Sequence, residues 1–135
     1  MARTVSRIAI GLIAAAFAFS VTGAVIAPVA AAEPGVSDNE IIIGGDHPFS
    51  GPASAYGNIG KGIGAYFDYV NDHGGVNGRK IKWIDLDDGY SPPQAVQVVH
   101  QLVEQDHVFA VFDSLGTEVN TAIRPYLNQN GVPQL

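Results

Sequence analysis

The sequence predicts an α/β fold built on a doubly wound parallel sheet, and three observations carry the prediction. Strand-type apolar runs recur at residues 41–43, 81–86 and 108–112, and a fourth begins at 132–135. A segment with apolar residues at helical spacing follows each of the first three runs. The connections between these segments are short. Strands alternating with helices build a parallel sheet covered on both faces, and right-handed crossovers wind it both ways.

The chain has 135 residues, enough for one domain. Arg3 and Arg7 precede a long apolar stretch that ends in Ala30-Ala31-Ala32 before Glu33. Positive start, apolar middle and small-residue site together read as a secretory signal peptide over 1–32, leaving 33–135 as the mature part. An uncleaved membrane anchor is the alternative, since the apolar stretch is long enough to span. The mature part holds 13 acids and, once Arg3 and Arg7 leave, 5 bases, a net charge of −8. Without a basic stripe the chain offers no nucleic-acid surface, and an anionic membrane surface is disfavoured for the same reason. The chain has no cysteine, so it has neither a disulfide framework nor a thiol for a lipid anchor. The expected setting is periplasmic or otherwise extracytoplasmic.

Residues 33–39 are polar and read as a flexible lead. Ile41-Ile42-Ile43 then forms a β-branched strand suited to cover on both faces. Gly44 and Gly45 follow, permitting close approach of a helix or a ligand. The stretch Ser50-Gly51-Pro52-Ala53-Ser54-Ala55-Tyr56-Gly57 is the first strand-to-helix loop, where such folds place ligands. Ser50 offers a hydroxyl, and Tyr56 an aromatic wall with a polar tip. The first helix is predicted over 54–72, with a stripe of Ile59, Ile63, Tyr66, Phe67 and Val70. Gly60 and Gly64 lie beside that stripe and let the helix sit close on the sheet. Gly57, Gly60 and Gly62 are not a phosphate loop, because they lie inside the helix and Gly60-Lys61 is not followed by Ser or Thr.

Gly74 ends this helix, Asn77-Gly78 turns the chain, and the second strand runs over 81–86. Asp85, Asp87 and Asp88 at its end suggest a calcium loop, but Tyr90 stands where the sharp-turn glycine is required. The expected role of these carboxylates is to cap the next helix. That helix opens at Ser91-Pro92-Pro93-Gln94, a capping box with Pro at the first helical position. Its stripe is Ala95, Val98, Val99, Leu102 and Val103. His100 and His107 read as surface or element-end residues. The loop Asp113-Ser114-Leu115-Gly116-Thr117 follows the third strand, with Thr117 as the expected N-cap of the third helix and Asn120 as a weaker partner closing the box. Pro125 is expected to kink that helix, and Asn130-Gly131 to stop it. A sheet that breaks off as its fourth strand begins reads as the front part of a longer protein.

These residues resemble a known family. Gly35-Val36-Ser37-Asp38-Asn39-Glu40-Ile41 and Phe49-Ser50-Gly51-Pro52-Ala53-Ser54-Ala55-Tyr56-Gly57 are similar to the start of periplasmic leucine/isoleucine/valine-type solute-binding proteins. So are Asn71-Asp72-His73-Gly74-Gly75-Val76-Asn77-Gly78-Arg79-Lys80-Ile81, Asp87-Asp88 with Pro92-Pro93-Gln94-Ala95-Val96, Leu115-Gly116-Thr117 and Val132-Pro133-Gln134-Leu135. The resemblance covers essentially the whole of 33–135. It implies a partial N-terminal lobe of a type I periplasmic binding protein, flavodoxin-like in topology, that closes with a second lobe on an amino acid or a small carboxylate or amide. It further implies a membrane permease of an ABC importer as partner, with no cofactor, no metal and no chemistry of its own. In that family an aromatic aligned with Tyr56 walls the pocket, and a loop aligned with Gly116 and Thr117 takes the ligand carboxylate. With Gly at 116, where many members have Ser, the hydroxyl duty falls to Thr117. Ser50 completes the candidate ligand-binding set.

Two other readings use the same sequence. One keeps the fold as a ligand-sensing domain of a receptor or regulator. The other is a secreted α/β hydrolase using Ser50 or Ser114 with His47 or His73, although neither serine lies in a G-x-S-x-G elbow.

Overall fold

A computed structural model describes residues 33–135. The expected signal peptide over 1–32 lies outside the described residues. Strand β1 (Glu40–His47) leads through a 3-10 turn (Ser54–Gly57) into α1 (Asn58–Asp72). Strand β2 (Lys80–Asp87), α2 (Pro92–Glu104), β3 (Ala110–Val111) and α3 (Thr117–Asn130) follow. The sheet is parallel in the order β2-β1-β3, with Glu40 opposite Lys80, His47 opposite Asp87, and Ile43 opposite Ala110. Gln134 bridges Val111 in parallel on the outer side of β3, where the fourth strand was expected to start. This is the flavodoxin-like order, which reverses between β1 and β3.

The main core lies between the sheet and the pair α2–α3. Ala95, Val99 and Leu102 from α2 and Val119, Ile123 and Leu127 from α3 are wholly buried with Val108 and Val111. The stripe read for α2 therefore holds, with Val98 and Val103 flanking it half-buried. On the other face α1 covers an aromatic cluster, in which Phe67 meets Trp83 at 5.5 Å and Phe112 at 5.9 Å between ring centroids.

The buried line of α1 is rotated from the expected stripe. Gly60 is its one buried residue, while Tyr66 is 62% exposed and Ile59 also faces outward. A Cβ at Gly60 would run into the Asp85 carboxylate and stand 2.9 Å from His47 Nδ1. Closest approach along Gly60 and Gly64 sets the helix rotation, and it carries Tyr66 away from the sheet.

β1 continues four residues past the isoleucines because Gly44 and Gly45 are strand residues. The space above Gly44 is taken by Leu102 and Val108, so apolar packing and not a ligand fills it. β3 is shorter than the run 108–112, bracketed by left-handed backbone at His107 (φ 52) and Asp113 (φ 57). Pairing still extends beyond it, since Phe109 and Phe112 donate to the carbonyls of Ile42 and Gly44, each at 2.8 Å.

The lead segment is pinned, contrary to expectation. The Gly35 carbonyl accepts from Ile42 N–H at 2.7 Å, and Arg79 Nε donates to the Ser37 carbonyl at 2.7 Å. The helix starts also differ. Ser91 makes no side-chain cap, and Gln94 Nε2 donates instead to the Asp87 carbonyl at 2.9 Å. The N-cap of α3 is Gly116, with Thr117 the first helical residue. The helix runs on past Pro125 to Asn130. Pro125 is on the exposed side, so the Thr121 carbonyl it leaves without an N–H partner faces water. Gly131 ends the helix in the left-handed conformation, as read.

Candidate functional site

The loops after β1, β2 and β3 meet at the C-terminal edge of the sheet. Asp87 organises the first of them. Its Oδ1 accepts N–H bonds from Phe49 (2.8 Å), Ser50 (3.1 Å) and Gly89 (3.0 Å). The Ser50 hydroxyl, followed by backbone N–H groups including that of Gly89, holds the Asp87 carboxyl below its ordinary range. The carboxylate expected to cap α2 thus ties the β1 loop to the β2 loop. The neighbouring acids are engaged separately: Asp88 Oδ1 accepts from Tyr90 N–H at 2.8 Å, and Asp85 pairs with His47. Among the described residues no three His, Asp or Glu side chains converge as a metal site.

The Asp88 turn places Tyr90 in the left-handed region (φ 58) and carries its ring over Gly116. A Cβ at Gly116, itself at φ 104, would press into that ring and stand 2.8 Å from the Tyr90 hydroxyl. The hydroxyl donates to Glu118 Oε2 at 3.4 Å, and the Glu118 charge holds the phenol above its ordinary range. Pro52, Ala53, Tyr56, Tyr90, Leu115 and Gly116 line an open cleft of about 490 Å³. Tyr56 is 58% exposed in it.

Of the expected residues, Tyr56 and Gly116 share this cleft. Thr117 is exposed, one residue beyond the wall at the same edge. Ser50 is outside the cleft, bound to Asp87. Tyr90 was missed. Its signal is the sequence Asp88-Gly89-Tyr90 at a strand end, where an Asp can accept from the N–H two residues on and turn the chain.

Beneath the cleft lies a buried polar cluster. His47 is wholly buried, with Nδ1 2.7 Å from Asp85 Oδ1 and Nε2 3.8 Å from Asp113 Oδ2. Burial opposes its charging, but the Asp85 hydrogen bond and the charges of Asp85, Asp113 and Asp46 outweigh that and raise its pKa. Asp46, also wholly buried, accepts from the Ser114 hydroxyl, and burial pushes its pKa up to about 7. Ser114 is therefore committed to Asp46 and Ser50 to Asp87, while His73 Nδ1 bonds the Tyr69 carbonyl at 2.8 Å. Neither serine meets either histidine, so the pairing the hydrolase reading needs is not formed.

The sequence profile of the periplasmic binding protein family matches residues 40–135. An amino acid binding protein of Pseudomonas aeruginosa is 37% identical over 73 residues, 53% of this chain and 20% of that protein. Leu/Ile/Val-binding protein homolog 1 of Brucella abortus is 31% identical over 97 residues, 71% of this chain and 26% of that protein. The chain thus spans between a fifth and about a quarter of the length of these relatives. Among solved structures, a branched-chain amino acid transporter substrate binding protein of Streptococcus pneumoniae, in complex with isoleucine, superposes with TM-score 0.67 at 30% identity. That match covers 71% of this chain and 28% of the other. A possible leucine/isoleucine/valine-binding protein of Rhodopirellula baltica gives TM-score 0.67 at 28% identity over 78% of this chain and 28% of that one. With its sheet order, its crevice at the strand ends and a profile match over most of its length, the chain belongs to the periplasmic binding protein family.

Proposed function

We propose that residues 33–135 supply one wall of the solute cleft of an extracytoplasmic receptor that delivers small molecules to the membrane permease of an ABC importer. The solute is an amino acid of branched-chain type or a related small carboxylate or amide. One observation carries the reading: Tyr56, from the loop after β1, and Gly116, at the start of α3, line a single cleft. That cleft lies where the strand order reverses, the usual ligand position in open α/β sheets.

In this reading Tyr56 is an apolar wall with a polar tip. The first N–H groups of α3, from Thr117 onward, lack intrahelical acceptors and follow directly on Gly116 of the cleft wall, and in this role they receive a carboxylate oxygen with the Thr117 hydroxyl beside them. Ser50 supports the site indirectly by fastening the β1 loop to Asp87. Residues 1–32 serve as the export signal. A thermal-shift screen of the complete protein against amino acids and small carboxylates tests the proposal, because a ligand bound only by the folded state raises the melting temperature. A screen with no stabilising solute would sink it.

A further inference from the structure

Two successive residues at the end of β1 grip two successive residues of the loop that leads to the cleft wall. Neighbouring strand residues point to opposite faces of the sheet. Asp46, on the side of α2 and α3, accepts from the Ser114 hydroxyl. His47, on the side of α1, stands with Nε2 3.8 Å from Asp113 Oδ2. Asn120 Nδ2 donates to the Ser114 and Gly116 carbonyls at 2.8 and 2.7 Å, which ties the loop to its own helix and not to the sheet. The Ser114 hydroxyl donates to Asp46 whether that carboxyl is ionised or protonated, so this grip keeps its sign at every pH. The His47 grip does not. Its Nδ1 is 2.7 Å from Asp85 Oδ1, and a carboxylate only accepts, so Nδ1 keeps its hydrogen and the exchangeable proton sits on Nε2. Nε2 is buried and makes no hydrogen bond to any of the described residues.

From this we infer that His47 is a positioning residue for the cleft: protonated on Nε2 it draws Asp113 onto the end of β1 and fixes the loop 113–116 that ends in the Gly116 wall, and without that proton it releases the loop. The effect on solutes rests on the solute-cleft reading above; the effect on the loop does not. A neutral imidazole turns a lone pair toward the Asp113 carboxylate, so attraction becomes repulsion at one atom. Asp85 faces the ring from β2, Asp113 from the loop after β3, Asp88 from the turn after β2 and Asp46 from its own strand. From α1 the Gly60 backbone faces it, and the Trp83 and Phe49 rings stand 6.2 and 6.4 Å away. Burial opposes the imidazolium, and the Asp85 hydrogen bond with the charges of Asp85, Asp113 and Asp46 outweighs it, so the proton leaves above pH 6.5. Loop attachment is therefore complete on the acid side and is lost as pH rises through the His47 titration.

The test uses the complete protein and Asp113→Asn. Asp113 is exposed at φ 57, a backbone that asparagine accepts, so the variant removes the charge and keeps the fold. First, NMR follows the titration of the His47 ring, whose midpoint is expected about half a pH unit or more lower in the variant. Second, amide exchange, corrected for its intrinsic pH dependence, follows the loop. In the parent, residues 113–116 are expected to lose protection about fivefold or more across the His47 titration, and in the variant to be weakly protected throughout. Asp46 titrates in the same range, and the variant separates the two because it leaves the Ser114–Asp46 bond in place. Third, calorimetry with leucine is expected to show affinity falling about threefold or more across that range in the parent and staying flat in the variant. A His47 midpoint unmoved by Asp113→Asn, or loop protection equal on both sides of the titration in the parent, overturns the inference. So does leucine affinity that holds while the loop is released. Absence of leucine binding at every pH counts against the solute-cleft reading alone, and the first two measurements still decide whether His47 holds the loop.

Discussion

The Tyr90 ring occupies the space that any side chain at Gly116 would need. The two residues lie on loops that leave different strands, and their contact closes one side of the cleft. Gly116→Ala adds a methyl against the ring and forces alanine to a φ of 104. Loss of about 1–3 kcal/mol of stability is expected, together with weaker solute binding. Urea denaturation checks the first effect and calorimetry the second. The double variant with Tyr90→Ala should recover the steric part and not the backbone part.

Gly60 and Gly62 sit on the same helix with opposite surroundings. Gly60→Ala drives a methyl into the His47–Asp85 pair, and a loss of about 2 kcal/mol or more is expected. Nothing lies within 4 Å of a Cβ at Gly62, so Gly62→Ala should stabilise by up to about 1 kcal/mol through helix propensity. Equal effects in thermal melts would show that α1 does not rest on Gly60.

Asp46 predicts a pH dependence. Its folded pKa of about 7 lies above the ordinary 3.8, so the folded state holds the proton more tightly than the unfolded chain. Its contribution to stability is complete below pH 4 and lost as pH rises to about 7, a change of about 4 kcal/mol. Asp46→Asn cannot ionise and should be the more stable protein at pH 8, with the advantage vanishing toward pH 4. Denaturant midpoints at the two pH values check the sign. Loss of the Ser114 bond would show instead as a destabilisation independent of pH.

Thr117 and Tyr56 separate the polar and apolar halves of solute recognition. Thr117→Ala should weaken binding about tenfold or more by removing one hydrogen bond to a charged oxygen, worth about 1.5–3 kcal/mol. Tyr56→Ala should weaken binding of bulky apolar solutes more than of alanine. Both residues are exposed, so melting temperatures without ligand should stay near the parent value.

The type and order of the elements were legible from local signals. Ile41-Ile42-Ile43, the Pro92 helix start, the Ala95–Val99–Leu102 stripe and the Gly131 stop each lie where periodicity or turn chemistry puts them. Alternation of strand and helix was enough for a parallel sheet, and hence for one edge carrying all the ligand loops. Tyr56 was legible as a candidate on that basis, and Gly116 only through the family resemblance. Tyr90 and Glu118 were not, because their meeting joins the β2 loop to the α3 start across 28 residues.

The amino-acid order alone therefore determined the architecture, since hydrophobic spacing and backbone-biased residues act within a few positions of themselves. Folding in three dimensions decided which groups serve one another: Asp87 holds Phe49 and Ser50, not the next helix, and Gly60 sets the face of α1 over Tyr66. The physical reason is competition. A carboxylate takes the donors brought nearest to it, and a helix turns its least bulky line toward the tightest contact. Neither choice exists until distant segments are packed together.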